Sequence, residues 1–167
     1  MIKLAKSILA VVTATLLLGI TPVLASDLEW KEADPPAPPD WSLSALIPLE
    51  LSIRSNLQYG VDPSTVSIGP DYVVRYVVVA YTPGGTSNAF YEGLRCATGE
   101  VKTYARTTVP GQWNLVAKPQ WKGLDFNMNA NRHTLALARQ SLCDNTVVGG
   151  RTASDLVRRL KYPVQGP

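Results

Sequence analysis

Few residues in this 167-residue chain are equipped for chemistry: one histidine, His133, two cysteines, Cys96 and Cys143, and the polar string Tyr91-Glu92-Gly93-Leu94-Arg95-Cys96. A carboxylate and an imidazole can exchange protons near neutral pH, so a hydrolytic activity would rest on Glu92 or His133. One histidine is too few for the usual His-rich zinc site, and cysteines bonded to each other cannot ligate, so no metal and no cofactor are expected. The chain has no glycine-rich loop ending in Lys-Ser or Lys-Thr and no Gly-x-Ser-x-Gly elbow. No residue is therefore assigned a catalytic role. Two function classes stay open: a non-enzymatic binding or interaction protein, which is the primary reading, and a small hydrolase using Glu92 or His133.

Positioning these residues falls to strands. Tyr72 to Tyr81 is almost wholly β-branched or aromatic, Thr86 to Cys96 follows a Thr82-Pro83-Gly84-Gly85 turn, and Val101 to Thr107 and Trp113 to Ala117 are shorter candidates between Gly and Pro turns. With a four-residue hairpin loop, Tyr81 pairs with Thr86 and Arg75 lies opposite Glu92; a loop longer by one residue puts Arg75 opposite Gly93. The candidate polar cluster is then Arg75, Tyr76, Tyr91, Glu92 and Arg95. Beyond Trp121 the period changes: Met128, Leu135, Ala138 and Leu142 share a helix face, with His133 off that face at the surface or its boundary. A last short helix carries the stripe Ala153, Leu156, Val157 and Leu160, with Thr152 or Ser154 as N-cap and Arg158, Arg159 and Lys161 in its final turn. Ten or so residues need a docking partner to be helical, by default the sheet, with a membrane surface as the sharper alternative.

The N-terminus sets the compartment. Lys3 and Lys6 precede an apolar run from Ile8 to Ile20, then Val23-Leu24-Ala25, the pattern of a signal peptide cleaved near Ala25. The run is shorter than the roughly 18 to 20 residues that span a bilayer, and Ser26 replaces the cysteine of a lipoprotein. Removing 25 residues leaves 142, one ordinary domain. The net charge of +3 falls to +1 without Lys3 and Lys6, so nucleic acid is not an expected partner. In a periplasmic or secreted chain, Cys96 and Cys143 are read as a disulfide; a thiol nucleophile served by His133 is the rival reading. Residues 26 to 48 form an arm that begins with four acidic residues and Lys31, then Pro35-Pro36-Ala37-Pro38-Pro39 followed by Asp40, an extended segment without ladder hydrogen bonds. Trp30 and Trp41 flank those prolines and are the candidate anchors of the arm onto the body or a partner. The single domain occupies 49 to 167.

Tyr72-Val73-Val74-Arg75-Tyr76, the Tyr91 to Cys96 string, Tyr104-Ala105, Trp113, Trp121 and the stretch ending in Cys143 resemble the cryptic neisserial protein-like family, over about residues 28 to 145. The resemblance implies a small exported proteobacterial domain, and no catalytic residue carries over from it. The fold expected is α+β: an antiparallel meander sheet of four to six strands, one longer helix tied to it by Cys96–Cys143, and a short C-terminal helix. The expected partner is an envelope protein or ligand, met through the sheet face or the arm.

Overall fold

The structure, a computed structural model, describes residues 29–51, 56–109, 111–124 and 132–163. The signal-peptide segment and Met128 lie outside them. The strands are β1 (Ile47–Leu49), β2 (Gln58–Val61), β3 (Ser67–Ile68), β4 (Val73–Tyr81), β5 (Ser87–Arg95), β6 (Glu100–Thr107), β7 (Asn114–Leu115) and β8 (Lys122–Gly123). They are followed by α1 (Arg132–Leu137), a π-helical continuation (Ala138–Leu142), the hairpin β9 (Cys143–Asp144) and β10 (Val147–Val148), and α2 (Ala153–Lys161).

Among the described residues, β1 to β8 form one antiparallel sheet in the order β1-β2-β4-β5-β6-β7, with β3 also beside β4 and β8 beside β6. The α+β meander is as expected, with more strands than the four to six foreseen. The extra ones are two or three residues long and carry no period that a sequence reading can detect. The boundary between arm and domain, placed at 48/49, falls inside β1.

β4 is the centre because it is buried on both faces, from Val73 to Ala80. Side chains alternate along a strand, so β4 sends Val74, Tyr76 and Val78 to one face and Val77 and Val79 to the other. The first face packs with Leu94, Leu137, Leu142, Leu156 and Leu160. The second packs with Tyr91, Tyr104, Ala105 and Trp41, and there the proline arm is the covering layer.

The helices differ from their expected form. The single long helix is a short α1 that widens into a π turn; His133, Thr134, Leu137, Ser141 and Leu142 point inward, while Leu135 is only half-buried. α2 starts at Thr152 in a capping box: the Asp155 N–H donates to the Thr152 hydroxyl, and the Asp155 carboxylate accepts from the Thr152 N–H. Its Leu156 and Leu160 are buried in the core on the first sheet face, and α2 packs most extensively on the π segment. Cys96 and Cys143 are joined, fastening the end of β5 to the end of the π segment across a sequence separation of 47.

Candidate functional site

Register decides what the polar string can do. The loop between β4 and β5 runs from Thr82 to Thr86, one residue longer than the tighter alternative, with Gly84 at φ +71° and the Gly85 N–H donating to the Thr82 carbonyl. Tyr81 therefore pairs with Ser87, Arg75 lies opposite Gly93, and Tyr76 lies opposite Glu92. The expectation that Arg75 faces Glu92 is overturned. One residue of slip sends each side chain to the other face, so the expected cluster divides. Tyr76 and Glu92 join the helix side; Arg75, Tyr91 and Arg95 join the arm side.

On the arm side the charges are structural knots. Asp71, buried in the turn before β4, receives both Arg75 terminal nitrogens at 3.1 and 2.7 Å and the N–H groups of Ala33 and Val73 at 2.9 and 3.2 Å. Arg75 also donates to the Ala33 carbonyl at 3.1 Å, and Trp30 Nε1 donates to the Asp71 carbonyl at 2.9 Å. Burial alone would raise the Asp71 carboxyl, but Arg75 and the two N–H groups outweigh it and hold it below its ordinary value. Glu32 is likewise held low against the opposing effect of burial, by Lys102 at 2.6 Å, Tyr104 at 2.8 Å and Trp121 at 3.1 Å. Trp30 lies beneath the Arg95 guanidinium at 3.7 Å and edge-on to Trp121, and Trp41 is buried in the core. Trp30 and Trp41 thus both contact the body of the same chain.

On the helix side, Glu92 is buried and ringed by donors. Tyr76 and Thr134 reach Oε2, each at 3.2 Å, Thr103 reaches Oε1 at 3.5 Å, and His133 Nε2 lies 3.3 to 3.4 Å from both oxygens. His133 is buried, not at the surface or boundary, because its ring stacks on Tyr59 at 5.1 Å and beside Phe90 at 6.2 Å. Burial, and then the Glu92 charge, push the Tyr76 and Tyr59 hydroxyls above the usual phenol value.

A β-bulge shapes the wall above this cluster. Tyr91 pairs with Ala105 but Glu92 pairs with Thr103, so Tyr104 is the extra residue of β6. Tyr104 and Ala105 both turn to the arm side, and Val101, Thr103 and Arg106 consequently share the helix side. They bound a cavity of about 310 Å3 with Tyr59, Phe90, Glu92 and His133 as floor and Lys118 and Lys122 at the rim.

A second hollow, of about 550 Å3, lies where the arm, the turn before β4 and the β9–β10 hairpin meet. Trp30, Ile68, Tyr72, Val147 and Val148 wall it, with the disulfide at Cys96 and the cations Arg95 and Arg151 at its edge. Tyr72 holds φ +59°, a left-handed backbone unusual for a large side chain, and the residue is 75% exposed. Sequence reasoning missed this hollow, and the only sequence signal for it is the Gly69-Pro70-Asp71 turn. It also missed the union of Glu92 with His133 and the role of Asp71.

Of the basic C-terminal residues, Arg159 donates to the carbonyls of Gly149 and Cys143 at 2.9 and 3.3 Å, and Arg158 pairs with Asp155 at 3.1 Å. Among the described residues no cluster of three His, Cys, Asp or Glu could hold a metal ion, and no helix is long and apolar enough to cross a membrane. In comparisons with known proteins, the sequence model of the CNP1-like family matches residues 25–161. No curated protein and no solved structure matches.

Proposed function

The chain belongs to the CNP1-like family, and from that premise we propose that it is an exported, non-catalytic binding domain of the bacterial cell envelope, holding an apolar small molecule in the hollow beside Tyr72. We take this family to be the one that the Tyr91 to Cys96 string resembles. Export rests on the N-terminal pattern, and the family match begins at residue 25, where cleavage is expected.

The observation that carries the binding reading is Tyr72. A tyrosine in the left-handed region is strained, and strain of this kind persists at sites that use it. Here it turns a large ring outward at the mouth of an apolar hollow instead of into the core. The hollow's volume is within the roughly 300–1,000 Å3 of ligand pockets. The sheet faces named earlier as partner surfaces are covered by helices on one side and by the arm on the other, which leaves the hollow beside the arm as the better candidate.

The hydrolase reading draws support from one observation, that Glu92 and His133 touch at the floor of a cavity. Against it, the two carboxylate oxygens already face Tyr76, Thr103, Thr134 and His133, enough donors to occupy about four lone-pair sites, and the one ring nitrogen placed by contact is turned to Glu92. That arrangement suits a structural anchor better than a general base.

The test titrates residues 26–167 with an apolar naphthalene dye and compares Tyr72→Asn. Asparagine tolerates the left-handed backbone, so stability should hold or rise, while loss of the ring should weaken dye binding at least about tenfold, or 1.4 kcal/mol. Unchanged affinity in a stable Tyr72→Asn protein would refute the proposal.

A further inference from the structure

The geometry points to a second, separate site: the 310 Å3 cavity over Glu92 and His133 binds the phosphate group of a small flat phosphomonoester, independently of the hollow at Tyr72. Three cations, Arg106, Lys118 and Lys122, border this cavity, and none of them has an ion-pair partner among the described residues. Arg75, Lys102, Arg95 and Arg158 each face a carboxylate, whereas here three cations without one among the described residues converge on a single cavity.

The Tyr104 bulge makes the arrangement. Without the extra residue, strict alternation would send Arg106 to the arm side whenever Val101 and Thr103 face the helix side. With it, the guanidinium stands over the Phe90 ring at 5.8 Å and borders the cavity. Bulges recur where a strand must re-aim a side chain next to a site.

The single negative group at the floor, Glu92, is outnumbered three to one, and the hydroxyls of Tyr76, Thr103 and Thr134 and the His133 ring already engage its oxygens. The cations therefore set the potential at the mouth. A dianion matches three positive charges facing one shielded carboxylate better than a monocarboxylate does, and a guanidinium fork suits phosphate oxygens. The cavity exceeds a bare phosphate, and its remaining wall is aromatic: Tyr59, stacked on His133, and Phe90. A flat organic group fits that wall.

The experiment uses residues 26–167 with phenyl phosphate, inorganic phosphate and phenol, read by calorimetry and by the His133 ring signals in NMR spectra. Expected are saturable binding of phenyl phosphate with a shift of the His133 signals, weaker binding of inorganic phosphate, and weaker binding still of phenol. Arg106→Gln should raise the Kd at least about tenfold, and Lys118→Gln/Lys122→Gln together by a similar factor. The Arg106 head is exposed, so the folded state should survive, and Arg158→Gln, an equal charge change elsewhere, should leave the Kd unchanged. Tyr72→Asn should leave it unchanged too, which separates this site from the other proposal. Equal Kd values for wild type and Arg106→Gln, or a loss in Arg158→Gln as large as that in Arg106→Gln, or no saturation with phenyl phosphate, would overturn the inference.

Discussion

Replacing Asp71 with alanine should be the most damaging single change on the arm side. The side chains of Arg75 and Asp71 are 2% and 1% exposed, so the guanidinium has no water to fall back on. Without the carboxylate it keeps the Ala33 carbonyl and the Tyr104 ring at 5.8 Å, and the N–H groups of Ala33 and Val73 lose their acceptor. Removing one partner of a buried ion pair costs about 3–5 kcal/mol, because the other charge stays buried and uncompensated. That is a large share of the roughly 5–15 kcal/mol that a domain of this size has. Replacing both partners, as in Asp71→Ala/Arg75→Leu, removes the stranded charge and should recover much of the loss. Urea unfolding followed by tryptophan fluorescence measures all four corners of the cycle. The arm should also loosen, since Asp71 holds both Ala33 and Trp30, and limited proteolysis should cut between residues 29 and 41 sooner in the single variant than in wild type. A loss below about 1 kcal/mol for Asp71→Ala, or a double variant no more stable than the single, would refute the claim that this pair is a buried knot.

Stability should fall in acid for a related reason. The Asp71 and Glu32 carboxyls are held below their ordinary values of 3.8 and 4.5, so the folded chain binds fewer protons than the unfolded one. Their contribution is complete above those ordinary values and is lost as pH falls through the lowered folded values; urea midpoints at pH 6 and pH 3 measure it, and Glu32→Gln should shrink the difference. Reducing the Cys96–Cys143 bond, whose ends have a sequence separation of 47, should cost about 4 kcal/mol on the chain-entropy account, seen as a lower midpoint in the presence of a thiol reductant.

Much of the fold was legible in residue types. The run from Tyr72 to Tyr81 reads as a strand because β-branched and aromatic residues suit a pleated surface, and β4 occupies nine of its ten positions. Thr152 reads as an N-cap because its hydroxyl can bond the free N–H three residues on, which it does. The Cys96–Cys143 bond follows from parity and compartment. β7 lies inside the candidate Trp113 to Ala117, but β8 was not legible: two residues carry no period, and their pairing depends on what β6 offers.

The candidate sites were legible as ingredients and not as places. Glu92 and His133 stood out by type, yet they are 41 residues apart, and the sheet together with the widened turn after α1 brings them within 3.3 Å. The proline arm reads as extended because proline lacks an N–H; that it packs on one sheet face depends on Asp71, Glu32 and Trp41 meeting partners far along the chain. By itself the sequence determined the long strands, an N-cap at Thr152 or Ser154, the disulfide and the extended arm, since each depends on local backbone preference or on composition. Only the tertiary structure decided which side chains share a face. A one-residue difference in the β4–β5 loop and a one-residue bulge at Tyr104 each reverse alternation, so Glu92, His133 and Arg106 came together through register, which no single residue encodes.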